Sequence, residues 1–267
     1  MQKSRIVNAL LFSLIALPAL ADNYSTELNI GRSEYNGQSD DNSWQLALTR
    51  YLSPVSTDNG PYGVNAFLSH SGYFKLSGSQ SDQLDRYNIS ARTINSDDWL
   101  MGAGASDDNP QGNSRSHSYY LEAGRYLEAG RYLDDATLAT FYYHRLEGGP
   151  VNADTFGATL SRYLGSSESG LWTQADISRI NGSQGLDAFV VAGHSQLFLA
   201  KNWSVGAGLT YVHSDNQQLV RLIKGVQKTR YEVSSRYWFA PQASVGLTMS
   251  MEEGDGAAWQ LDLGYRL

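Results

Sequence analysis

Cysteine is absent from these 267 residues, which excludes disulfides, thiol chemistry, thiolate metal sites and lipid attachment at a cysteine. Proline is scarce, at 6 residues, and 20 Lys and Arg face 27 Asp and Glu. That acidic balance argues against nucleic acid or anionic lipid as a principal partner, since both repel it. Long apolar runs are missing after the first 21 residues, because Gly, Ser, Asp or Asn interrupts each within a few positions. A spanning helix needs ~20 apolar residues, so no later segment qualifies. Phosphate loops, dinucleotide fingerprints and metal-ligand spacings are absent too, and no cofactor is expected. The histidines give no catalytic pattern: His70, His117, His194 and His213 each precede Ser, and His144 precedes Arg145. Adjacent strand residues point to opposite faces, so a sequential His-Ser pair cannot work as a unit, and the chain does not read as an enzyme.

What is present begins with an address. Lys3 and Arg5 precede an apolar stretch from Ile6 to Leu17, broken only by Asn8 and Ser13. Ala19-Leu20-Ala21 places small residues where a signal peptidase reads them, so cleavage is expected between Ala21 and Asp22. Residues 1–21 are therefore read as a cleaved export signal and 22–267 as one domain, with no linker-like composition shift to divide it.

The last nine residues, Trp259 to Leu267, alternate Trp259, Leu261, Leu263, Tyr265 and Leu267 with Gln260, Asp262, Gly264 and Arg266. A strand so built is apolar on one face and wet on the other. The same alternation recurs around Leu28, Trp44, Ile89, Leu171, Trp203 and Val245. Soluble sandwiches alternate as well, so punctuation has to decide. Arg-Tyr followed by Leu or Trp precedes a turn at Arg50-Tyr51-Leu52, Arg131-Tyr132-Leu133, Arg162-Tyr163-Leu164 and Arg236-Tyr237-Trp238. Two further turns lead straight into Trp99 and Trp203. Aromatics gathered at one end of successive strands are the girdle of a membrane–water boundary, here Tyr51, Trp99, Tyr132, Tyr163, Trp203, Tyr237 and Tyr265.

Turns near 53–61, 95–98, 133–136, 165–170, 199–202 and 239–242 separate seven hairpins. The fold expected is all-β, a transmembrane antiparallel up-and-down β-barrel of about 14 strands, although 12 or 16 also fit the length. The opposite connections, Glu34 to Asn42, Leu76 to Asp82, Ser106 to Ser116 and His213 to Gln218, are polar and are assigned to the cell exterior. One segment strains the pattern. Leu121 to Tyr126 is repeated as Leu127 to Tyr132, and parity puts Arg125 on the apolar face. Mid-bilayer Arg costs ~2–4 kcal/mol, so either this strand outruns the membrane or a bulge turns Arg125 inward.

The polar face is rich in small residues such as Gly206, Gly208, Thr210, Ser244, Gly246 and Thr248, which fill little volume and imply a hydrated lumen. Charges of both signs fall on that face: Glu27, Asp176, Glu232 and Asp262 against Arg86, Arg92, Arg230 and Arg266. Facing rows of opposite charge would order water and screen solutes by charge and polarity.

Tyr51-Leu52-Ser53-Pro54-Val55-Ser56-Thr57-Asp58-Asn59-Gly60-Pro61, with Ala66-Phe67-Leu68 after it, resembles the signature of the general bacterial porin family, short porin-like proteins of Gram-negative bacteria. Gly130 to Asp135 is similar to that family's mid-chain hairpin. The resemblance implies an outer-membrane channel with no catalytic residues to carry over. Two departures are the terminal Leu267, where such barrels usually end in Phe, and the doubled hexad. The function expected is passive diffusion of small hydrophilic solutes or ions. A non-conducting structural or adhesive barrel is the alternative, and a membrane-embedded hydrolase is less favoured. The expected partners are outer-membrane lipid and lipopolysaccharide, the barrel-assembly machinery and the diffusing solutes, with no nucleic acid.

Overall fold

A computed structural model describes residues 23–37, 41–110, 115–128, 136–148, 151–214, 229–253 and 256–267. The expected signal, its cleavage point at Ala21 and Asp22, Tyr132 and the turn at 133–135 lie outside those residues. Fourteen strands form a closed antiparallel barrel. They are β1 (Asn23–Gly37), β2 (Asp41–Ser56), β3 (Tyr73–Ser81), β4 (Leu84–Ile94), β5 (Trp99–Pro110), β6 (Ser116–Glu128) and β7 (Ala136–Gly148). The second half comprises β8 (Ala153–Gly165), β9 (Gly170–Gly182), β10 (Asp187–Ala200), β11 (Trp203–Ser214), β12 (Thr229–Ala240), β13 (Ala243–Glu252) and β14 (Gly256–Arg266). Each strand pairs with its neighbour in sequence, and β14 pairs with β1 from Glu27↔Arg266 to Gly37↔Gly256. Closure matters because hydrocarbon offers no partner to an unpaired backbone group.

The two faces separate as the alternation demands. Leu46, Leu76, Ile89, Phe141, Ile177, Leu209, Val233 and Leu247 all stand exposed on the outer wall. In water such a surface would be a liability; inside a bilayer it is the contact surface. Arg125 stays outward, because β6 keeps continuous register with both β5 and β7. It lies opposite Trp99 at the very start of β5, with its guanidinium 5.3 Å from that ring. The strand end, not a bulge, removes the mid-bilayer cost.

Three β-bulges sit at the end of the barrel that carries Asn23 and Leu267. Ser25 and Thr26 both donate their backbone N–H to the Leu267 carbonyl, at 2.7 and 2.9 Å. The extra residue flips Tyr24 inward, to 3% exposure, out of phase with Leu28 and Ile30. Bulges at Leu199 and Phe239 likewise leave those residues exposed and Phe198 and Trp238 buried.

The far-end polar stretches are more regular than expected. β3 runs through Ser81 and β5 through Pro110, so much of Leu76 to Asp82 and Ser106 to Ser116 is strand. Outward charges there pair with one another, as in Arg32–Glu34, Arg145–Asp154 and Arg179–Asp187. Strands that carry ion pairs on their outer face have passed beyond the hydrocarbon. Placing one charge lower on that face should be costly: Leu247→Arg should lower folding stability in lipid vesicles by about 2–4 kcal/mol, whereas Thr248→Arg, one residue along and facing inward, should not. Denaturant titration of the two variants checks this, and equal losses would refute the assignment of faces.

Candidate functional site: the lumen and its plug

The connection between β2 and β3 is not the short turn expected at 53–61. β2 continues to Ser56, and residues 57–72 fold into the mouth of the barrel as a 3-10 turn (Tyr62–Val64) running into one helical turn (Asn65–Leu68). Beyond the strand end at Ser56, Pro61 caps the start of the 3-10 turn. The apolar side chains of Val64, Phe67 and Leu68 then find partners only inside the wall. Val64 packs with Tyr163 of β8 and Phe198 of β10, and Phe67 reaches Leu100, Tyr126 and Leu138 on β5 to β7. Burying such a side chain contributes roughly 1.5–3 kcal/mol.

Polar contacts complete the ring. The Tyr62 carbonyl accepts from Arg266 Nη1 at 2.9 Å, and the Tyr62 N–H donates to the Lys201 carbonyl at 2.9 Å. Lys201 pairs with Asp58 at 3.1 Å. His70 Nδ1 lies 2.9 Å from Asp98 Oδ1, with its ring stacked 3.6 Å from that of Tyr126. The Tyr126 hydroxyl donates to the Phe67 carbonyl at 3.2 Å. The plug therefore touches the wall from β14 round to β5 and lies across this end of the lumen.

Two of the girdle aromatics take part in this packing instead of facing lipid. Tyr163 is 2% exposed beneath Val64, and Tyr51 stands edge-on to Tyr24 with ring centroids 5.5 Å apart. Trp99, Trp203, Tyr237 and Tyr265 do lie on the outer face. The Arg-Tyr motif thus appears in both phases. Arg50 points outward and donates to Ser25 and Thr26 hydroxyls while Tyr51 points in. Arg236 points inward and Tyr237 out.

All eight lumen charges named from the sequence lie on the inner face, and most have a partner there. Glu27 accepts from Arg266 Nε at 2.9 Å, and Arg266 is sandwiched between Trp238 at 3.9 Å and Tyr24 at 4.3 Å. Arg230 and Glu232 are 3.5 Å apart. Among the described residues no cation pairs with Asp176; Tyr142 and Thr159 hydroxyls donate to it at 3.0 and 2.7 Å. The other partners are residues that sequence reasoning passed over. Arg92 makes a bidentate bond to Glu122, both contacts at 2.7 Å. Arg86 Nε donates to Asp108 at 3.0 Å, and Arg236 to Asp262. Parity counted from Trp99 would have placed Asp108 inward, and parity along the repeated hexad would have done so for Glu122. Charges paired bidentately or held in hydrogen bonds present a weak net field to a passing solute.

Small residues keep space between these pairs. Gly31, Ala47, Ser77 and Gly78 border a chamber of about 590 Å³ that reaches Gly63 of the plug. A second chamber of about 450 Å³ lies over Phe67, between Arg92, Glu122, Tyr142 and Trp172. A third, of about 220 Å³, is bordered by Asp176, His194, Arg230 and Glu232.

Together these features define a transmembrane β-barrel with a polar, partly filled lumen and one obstructed end. No protein-family model matches the chain, and no curated protein matches it in sequence. Its fold is similar to that of the outer membrane protein Omp33 of Acinetobacter baumannii, with 18% identity and a TM-score of 0.67 over 92% of this chain and 99% of that one. It is also similar to the KdgM porin in complex with disordered oligogalacturonate (8% identity, TM-score 0.49, 90% and 99% covered). Pseudomonas putida OprB shows a comparable likeness (10% identity, TM-score 0.49, 91% and 93% covered).

The apolar seat of the plug can be tested directly. Residues 57–72 contain no Lys or Arg but do hold Tyr62, Phe67 and Leu68. Val64→Asp places a charge against Tyr163 and Phe198 and should expel the segment. Chymotrypsin is then expected to cleave folded V64D between 62 and 68 while sparing the parent; equal resistance of both would mean the plug is not held by this contact.

Proposed function

We propose that the protein is an outer-membrane porin-like channel through which small hydrophilic solutes or ions diffuse passively. The observation that carries this reading is the interior: small side chains and mutually paired charges surround chambers of up to about 590 Å³. A barrel built only for structure would fill its interior with bulky side chains. The expected export signal, the apolar outer wall and the porin-like stretch Tyr51 to Pro61 support placement in the outer membrane of a Gram-negative bacterium. In that setting the end with short turns and both strand termini faces the periplasm, and the far end faces the medium. The wall contacts lipid and, at the outer rim, lipopolysaccharide; insertion belongs to the barrel-assembly machinery. Selection is by width and lumen charge, with no covalent step.

The plug favours a second reading, a barrel closed at rest that acts as a structural or adhesive element. Planar-bilayer recording separates the two. The parent protein is expected to give stepwise currents, and deletion of residues 59–69 to enlarge them severalfold. Silence from both would sink the pore reading. Silence from the parent with current from the deletion variant would make the plug an obligate closure.

A further inference from the structure

Four basic side chains and two acidic ones line the chamber that abuts the plug: Lys75, Arg86, Arg236 and Arg266 against Glu27 and Asp262. Three of the four cations are already neutralised. Arg266 is bound to Glu27, Arg236 to Asp262, and Arg86 to Asp108 in the wall behind it. Lys75 is different. Among the described residues no carboxylate comes within ion-pair distance of it. Its cross-strand neighbours, Thr49 on β2 and Ser90 on β4, carry no charge. Paired charges offer a solute only their residual dipole, so the ammonium of Lys75 is the charge that an entering ion meets.

The rest of the lining consists of neutral donors and acceptors. Gln45, Ser77 and Asn88 flank Lys75 on β2 to β4, and Gln196 and Gln260 border the same space from β10 and β14. Amides and hydroxyls of this kind suit sugar-like hydroxyl groups, which both donate and accept. At about 590 Å³ the chamber falls within the ~300–1,000 Å³ usual for small-molecule sites. A cation would be held elsewhere, since Asp176, which has no basic partner among the described residues, borders the separate 220 Å³ cavity.

We propose that this chamber binds small hydroxylated carboxylates, with the carboxylate on Lys75 and the hydroxyls on the surrounding amides and serines. The proposal deepens the diffusion-pore reading and rests on it for delivery of solute from the far end. Binding itself needs no transport, so it is measured on folded protein in detergent micelles by equilibrium dialysis with radiolabelled gluconate. Sorbitol, which has similar hydroxyls and no charge, is the comparison. Gluconate is expected to be retained at low salt and lost as sodium chloride is raised, because the contact is an exposed charge pair. Sorbitol retention should be weaker by about tenfold or more, and Lys75→Gln should weaken gluconate by a similar factor, the order expected for one hydrogen bond to a charged group. Lys75→Arg, which keeps the charge, should retain most of the binding.

Heat-shifted gel mobility verifies that each variant is folded. If K75Q does not fold, the gluconate–sorbitol ratio on the parent and the behaviour of K75R still decide the matter. Equal retention of gluconate and sorbitol would overturn the proposal, as would K75Q binding within about twofold of the parent. A protein that binds gluconate yet passes no current would refute the pore and leave the site standing; one that conducts but does not distinguish gluconate from sorbitol would do the reverse.

Discussion

Everything in this molecule follows from the need to pair every backbone N–H and C=O within the sheet itself. Hydrocarbon supplies no substitute partner, so the ring must close, and it closes where β14 meets β1. A closed, continuously registered sheet leaves each residue only two directions. Apolar side chains take the outer one. Between the two membrane boundaries the polar ones are delivered to a common interior, where adjacent strands hold them about 5 Å apart. Charged residues brought that close must be opposite in sign, and they are: Arg266 with Glu27, Arg236 with Asp262, Arg92 with Glu122.

A ring of fourteen strands is wider than its own inward side chains can fill, particularly where Gly206, Gly208, Ser244 and Gly246 line it. Space of that kind invites a segment of chain. The β2–β3 connection is long enough to enter, and it brings Val64 and Phe67 to inward-turned aromatics that would otherwise meet water. The bulges at the same end serve this packing, because each turns one more aromatic, Tyr24, Phe198 or Trp238, toward the interior.

The fold was legible in the sequence because its signal is local. Alternation around Trp203 or Leu261 needs only the adjacent residues to be read, and the strand count followed from the turns. Where the reading failed, the deciding contact was distant in the chain. Nothing near Tyr163 announces that Val64, about a hundred residues earlier, will cover it. Tyr51 looked like a girdle residue for the same reason. The charged rows were half legible: parity placed Arg92 and Arg86 inward, but their partners Glu122 and Asp108 sat in stretches read as a repeat and a loop. Lys75 was missed because β3 spans Tyr73–Ser81, most of which coincides with the stretch from Leu76 to Asp82 that was expected to be a connection.

Arg266 shows why closure of the barrel and closure of its mouth are separable. Its bond to Glu27 and its place between Tyr24 and Trp238 involve only β1, β12 and β14. Its bond to the Tyr62 carbonyl is additional and uses a different guanidinium nitrogen. If the plug withdraws, Arg266 loses one neutral acceptor and keeps its carboxylate and both rings. A hydrogen bond exchanged for one to water changes the balance by roughly 0.5–1.5 kcal/mol, far less than breaking a buried ion pair. The same holds at the other contacts, since Lys201, Asp58, His70 and Asp98 are all partly open to solvent and can be hydrated in place. What keeps the plug seated is therefore the apolar contact of Val64 and Phe67, and that contact can be surrendered without opening a single strand pair.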